Sequence, residues 1–439
     1  MSIFQKTFVI LHNRSKKCKA FALSNQIQLK KRSIMKILHD LRIYKIKWRY
    51  WVLLALFILV TLTKMIPLGG FIYTFHIYPV IGKILSPVSG LFPFAVGDIF
   101  IAISIAWVIL CPIYEIGLRK KLACHITILT PKRGNYPKKK VVFGRVIEYL
   151  LWVYVWFYMA WGLNYSQPNI YYRIGMKPVE VSEAKFKAFA YQYADTLNKL
   201  SEELKGNSEE TTFDTLRVHH LNGIAENSIM DDNLKKRVKY AILKEYNKIG
   251  YQEGINPPFN QNPHVKTMVF TPLSSMAGVT GSMGPFFCEF TLNGDIPAHD
   301  YPAVYAHEFA HFLGVANEGE ANFYSYMICT ASSDKTVKFS GYYHIFFHVL
   351  NNVFDILGEK EGEKFLKYIR PEIIQLAKND RSYWLGKRCK TLDAAQDFIF
   401  DLYLKGNHVA EGRKSYSGVI GLILAWNQKK EAIQKYPSR

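Results

Sequence analysis

Three long apolar runs constrain this chain more than any other feature of its sequence. They are YWVLLALFILVTLTKMIPL (residues 50–68), PFAVGDIFIAISIAWVILCPIYEIGL (93–118) and VFGRVIEYLLWVYVWFYMAWGLNY (142–165). A helix rises about 1.5 Å per residue, so about 20 apolar residues cross the hydrocarbon core of a bilayer. Each run is long enough, and three spanning helices are expected. Lys64 sits near one end of the first run, where its long stem reaches the headgroups. Asp98 and Glu148 lie near the ends of the second and third; ionisable groups in spans are functional candidates, although interfacial placement accounts for both equally well.

The net charge of +21 would suggest nucleic acid if it were spread over one surface. It is not. Residues 1–49 hold 13 basic residues against one acidic, and 118–145 hold nine against none; the remainder balances, 34 against 34. The excess therefore flanks the apolar runs and excludes a nucleic-acid footprint on the main domain. Basic segments stay in the cytoplasm, which places residues 1–49 and the 118–145 loop inside. The 69–92 loop and residues 166–439 then lie outside. The first run lacks a small-residue cleavage site and is read as an anchor; Met35 offers an alternative start for the chain. The six cysteines have no regular spacing, so no disulfide framework is implied.

The expected organisation is a basic N-terminal segment (1–49), a three-helix membrane anchor (50–165) and a C-terminal domain (166–439). That domain is expected to be α+β and mostly helical, with a small sheet. YSQPNIYYRIGMKPVEV (165–181) reads as a linker. A helix follows over 182–206 with Ser182 as its cap, and another over about 230–248. TMVFTPL (267–273) and SMGPFFCEFTLN (282–293) read as strands. In the second, Phe286, Cys288, Phe290 and Leu292 alternate with residues of an open face. Helices are expected at 301–313, 318–331, 341–357, 361–377, 392–404 and 415–434.

The chemistry concentrates in YAHEFAHFLGVANEGEANFYSYM (305–327). Its first half is apolar on all sides, the mark of a helix buried all round. Only His307, Glu308 and His311 are ionisable there, and burying them unpartnered would cost several kcal/mol. The histidines are four apart and share one helical face, where two imidazoles converge on one zinc ion. Glu308, beside that face, can reach a metal-bound water as general base. The pattern HEFAHFLGVAN follows HExxHxxGxxH as far as Gly314 but has Asn317 in place of a third histidine. Gly314 suits a left-handed helix end, after which the next helix delivers Glu318 or Glu320 as third ligand. Glu320, in the triplet EAN, is favoured; a capping role for Asn317 and Glu320 would leave Glu318 instead. For an oxyanion stabiliser the segment SGYYHIFFH offers Tyr342, Tyr343 and His344, and Tyr343 and His344 are the residues taken forward. His344 and His348 repeat the four-residue spacing without a carboxylate.

The segments WGLNY, GVTGSMGPFFCEFTLN, HEFAHFLGVANEGEANFYSYM, FSGYY and LKGNHVAEGRKSYSGV together resemble a family of bacterial envelope proteins of unknown function. Its members have three N-terminal spans and an extracytoplasmic zincin-like domain. The resemblance covers roughly residues 45–430. It implies a metallopeptidase-like fold in a multi-pass protein of the inner (cytoplasmic) membrane, with the C-terminal domain periplasmic, and it supplies no substrate. The expected activity is zinc-dependent hydrolysis of a peptide or protein substrate in the envelope; the alternative is a non-catalytic, membrane-tethered zinc-binding domain.

Overall fold

The computed structural model describes residues 48–118, 139–179, 182–206, 232–392, 394 and 418–435. Residues 1–47 of the basic N-terminal segment, 119–138 of the basic loop and 395–404 of the expected helix 392–404 lie outside the described residues. The chain divides into two units, 1–58 and 59–439. The first holds the start of one apolar helix, and the second holds the fold and the site.

Four helices are long and apolar enough to cross a membrane: α1 (Trp48–Met65), α2 (Pro67–Gly90), α3 (Val96–Gly117) and α4 (Lys139–Ala160). Many large apolar side chains along α1, α3 and α4 are exposed. A surface of that kind is matched by lipid and not by water, so the chain is a membrane protein.

Helix α2 departs from the sequence expectation of an outer loop at 69–92. Its glycines and prolines conceal it, yet the small residues serve packing. A Cβ on Gly82 would lie 2.4 Å from the Phe259 ring, and one on Gly70 would lie 2.0 Å from the Ser166 carbonyl oxygen. Polar bonds follow the same face: Asn256 Nδ2 donates to Thr74 O, Tyr78 Oη to Phe312 O (2.7 Å), and Asn260 Nδ2 to Ser86 Oγ. At its end, Lys266 Nζ donates to Ser89 O. The other face carries exposed Leu68, Ile72, Ile77, Val80, Ile84 and Val88. The helix is therefore fastened to the domain along its length.

The described sheet has three strands in the order β1 (Lys266–Thr267), β3 (Glu289–Leu292), β2 (Gly281–Gly284). β1 is parallel to β3, and β2 pairs antiparallel with it, Gly281 opposite Leu292 and Gly284 opposite Glu289. The stretch expected as one strand over 282–293 is thus a hairpin, turning at Pro285 and at Cys288, whose φ is +48°. Nor does β3 have an open face: all four of its residues are buried. The reason is that Glu289 lies under the start of α3, accepting from Gly97 N at 2.5 Å and pairing with buried Lys266 at 2.6 Å. Asp98 belongs to the same tie, its Oδ2 accepting from Val269 N at 2.9 Å. A structural fastening of α3 to the sheet accounts for this acid without an intramembrane role.

The segment read as a linker is docked as well, with Ile170, Ile174 and Met176 buried. It leads into α5 (Glu183–Gly206), whose Lys185 N–H meets Ser182 Oγ as expected of a cap, and then α6 (Asp232–Lys248). The central helix α7 (Tyr301–Phe312) has the sheet on one side and α8 (Glu318–Ala331) and α9 (Lys335–His344) on others. Phe290 of β3 contacts the rings of Tyr305, Phe309 and Phe312 at 5.4–5.8 Å. The two helices expected at 341–357 and 361–377 are each broken, giving α9 and α10 (Phe346–Leu357), then α11 (Glu359–Tyr368) and α12 (Pro371–Lys387). Pro371 cannot continue a helix and starts one instead. Helix α13 (Gly418–Lys435) closes the described fold.

Candidate metal centre

Helix α7 opens with Pro302 in its first turn and is buried almost throughout, including Glu308 and His311. Gly314, with φ +99°, ends it and turns the chain back, as the sequence suggests. Gln167 Nε2 donates to Gly314 O and Trp161 Nε1 to His311 O, so the residues after α4 brace this turn. Asn317 then caps α8, its Oδ1 accepting from Glu320 N at 3.0 Å.

That cap decides which glutamate faces the histidines. Glu318 Oε2 lies 3.1 Å from His307 Nε2 and 3.4 Å from His311 Nε2, and the two Nε2 atoms are 3.0 Å apart. Glu320, the expected third ligand, points the other way. It forms a buried ion pair with Arg173 at 2.6 Å and accepts from Ile170 N at 2.9 Å. The expectation for Glu320 is corrected to Glu318, and the physical reason is the prior claim of Arg173.

The donor set fits zinc. Bonds of about 2.0–2.1 Å place tetrahedral ligands roughly 3.3–3.4 Å apart, close to the observed triangle. Each histidine has its other nitrogen engaged: His307 Nδ1 donates to Asn322 Oδ1 at 2.8 Å, and His311 Nδ1 to Val315 O at 2.7 Å. With a metal bound, both Nε2 lone pairs would turn to it beside one carboxylate, the orientation that supporting hydrogen bonds impose on metal ligands. Among the described residues, His307, His311 and Glu318 are the group so arranged.

The electrostatics carry the same strain. Burial lowers His307, although the Glu318 carboxylate beside it favours the charged ring. Burial also opposes charge on His311, but the nearby Glu318 carboxylate outweighs it and raises this imidazole to about 9. Burial would raise Glu318, yet the two imidazoles, His311 foremost, hold it well below the usual carboxylate range. Glu308 is pushed up to about 8 by burial, and its Oε2 has no hydrogen-bond partner among the described residues.

These groups line a cavity of about 970 Å³. One wall is β2, which is an edge strand, whereas the central strand β3 is paired on both sides. His344 and His348 also line the cavity. His344 Nδ1 bonds to Asp300 Oδ1 at 3.0 Å, and its ring centroid is 6.4 Å from that of His307. Burial would raise Asp300, but His344 keeps it low and ionised. Burial, with His344 nearby, lowers His348 to about 4. Tyr343 is not part of this lining. Its hydroxyl donates to Asp380 Oδ2 at 2.5 Å and its ring stacks between Phe339 and Phe346. Those contacts turn Tyr343 into the core, about 100° around the helix from His344. Tyr342 packs on Tyr193 and Tyr326 instead.

Sequence reasoning missed Arg173, Asp300, Asn322 and Gly281. Asn322 stood in the quoted EAN triplet, two residues beyond Glu320, and was the one with a readable signal. Gly281 is required by proximity: a Cβ there would lie 2.3 Å from Glu308 Oε1. Gly281→Ala is expected to displace that carboxylate and reduce any Glu308-dependent turnover about a hundredfold, the scale of a 1 Å misplacement. The measurement is turnover alongside the unfolding midpoint, which should change little.

Searches among curated proteins and among solved structures each returned no match. A family model described as "Protein of unknown function (DUF3810)" matches residues 73–424, a stretch that runs from within α2 into α13 and includes the whole histidine–glutamate centre. The chain belongs to that family.

Proposed function

We propose that this protein is a membrane-anchored zinc metallopeptidase acting on peptide or protein substrates in the cell envelope, built on a zincin-like domain. The observation that carries the reading is the triangle of His307 Nε2, His311 Nε2 and Glu318 Oε2 with Glu308 beside it. A zinc ion held there would acidify a water molecule and polarise a carbonyl. Glu308, raised toward neutrality by burial, takes the proton of the attacking water and returns it to the leaving amine. His344, oriented by Asp300, is the cavity-lining side chain suited to donate to the developing oxyanion. The edge of β2 offers backbone groups to an extended peptide.

Several contacts support a membrane arrangement for this reading. Lys64 Nζ donates to Tyr158 Oη near the end of α4, and at the start of α3 Gly97 N donates to Glu289 while Asp98 accepts from Val269 N. Helices α1 and α4 thus end, and α3 begins, on the side of the domain. Helix α2, tied to the domain from Thr74 to Ser89, lies along that side with its apolar face toward lipid. Three helices, α1, α3 and α4, then cross. With the basic segments in the cytoplasm, the domain is extracytoplasmic, on the outer face of the inner membrane.

The full chain reconstituted in nanodiscs with a quenched-fluorescent peptide library tests the activity. Hydrolysis is expected to vanish on chelation and return with about one equivalent of zinc. Retained zinc without hydrolysis at any zinc level would favour the non-catalytic, structural role.

A further inference from the structure

Resting on that reading, we infer that the cleft acts on polypeptides anchored in the same bilayer, at bonds a few residues outside their anchors. The last turn of α4 and the residues after it are part of the cleft: Phe157, Trp161 and Tyr165 line the same cavity as His307, Glu308 and His311. The β2–β3 turn is wedged between two spanning helices. The Phe286 ring lies 4.9 Å from Phe100 of α3 and 6.1 Å from Phe157 of α4, and Trp156 Nε1 of α4 donates to Phe286 O at 3.0 Å.

The edge strand therefore runs from the catalytic carboxylate to the membrane helices. Gly281 abuts Glu308 and Phe286 abuts α3 and α4. β2 supplies the first three steps, Gly281 to Gly284, about 10 Å at about 3.3 Å per residue, and the turn at Pro285 carries the chain on to Phe286. A chain laid along β2 would enter the level of the spans a few residues from its scissile bond. The rim between α3 and the cleft is apolar as well. Val269, bonded through its N–H to Asp98 of α3, begins an exposed series with Phe270, Leu273 and Met276, and the chain continues directly into the cavity wall at Ala277. Exposed side chains of this kind beside a spanning helix meet lipid. A mouth bordered by spanning helices and a lipid-facing rim favours a substrate delivered within the membrane plane, where tethering raises its effective concentration.

The test uses the zinc-loaded full chain in nanodiscs and one random-sequence peptide library in two forms, N-terminally palmitoylated and N-terminally acetylated. The palmitoylated form is expected to be cut at least about tenfold faster, with cleavage sites mapped by mass spectrometry clustering within about ten residues of the acyl anchor. Equal rates, or sites spread evenly along the anchored peptides, would overturn the inference and leave the peptidase reading standing. Cleavage of neither form above the level of Glu308→Gln would overturn both.

Discussion

Glu308→Gln is expected to reduce zinc-dependent peptide hydrolysis by about 10²–10⁴-fold, the range general acid–base groups supply, with zinc content unchanged. The substitution keeps the shape that packs against Gly281, and the Oε2 it replaces has no hydrogen-bond partner to lose among the described residues. Only the capacity to carry a proton disappears. A second readout comes from linkage. Burial raises this carboxyl from about 4.5 to about 8, so its contribution to stability is fully present below about pH 4.5 and is lost as pH rises through about 8. In zinc-free protein the Gln variant lacks that loss. Its unfolding midpoint should gain on wild type between pH 5 and 9; a difference that stays constant with pH would refute the burial argument.

Arg173→Ala is expected to cost the fold about 3–5 kcal/mol, the scale for breaking a buried ion pair from one side. The guanidinium pairs with Glu320 and also donates to Gly254 O and Pro168 O, joining the segment after α4, the loop after α6 and the start of α8. Removing it leaves the Glu320 carboxylate in a dry interior, held by the hydrogen bond from Ile170 N. The double variant Arg173→Met/Glu320→Leu should recover much of the loss, because both charges go together. Denaturant midpoints of wild type, Arg173→Met, Glu320→Leu and the double variant form the cycle. A double variant no more stable than Arg173→Ala would show that Arg173 acts through its carbonyl contacts alone.

Local pattern made much of the centre legible, while partners distant in sequence decided the rest. The four-residue spacing of His307 and His311, the place of Glu308 and the turn at Gly314 are properties of one helix and its end. Glu318 and Glu320 both fall in the first turn of α8, so no periodicity separates them. The choice rests on Arg173, 147 residues earlier, in a stretch that read as a linker because its prolines obscure any pattern. Helix α2 was hidden in the same way. Gly70, Gly82 and Ser86 look like loop residues, whereas they permit close helix packing. The strand at 282–293 read as half open because alternation reports one buried face and is silent about a membrane helix covering the other.

Zinc stoichiometry of the purified full chain tests the central claim most directly, with Glu318→Ala and Glu320→Gln measured beside wild type. About one zinc per chain is predicted for wild type and for Glu320→Gln, and loss of tight binding for Glu318→Ala while it remains folded. Zinc retained by Glu318→Ala, or no bound zinc in wild type, would contradict the account.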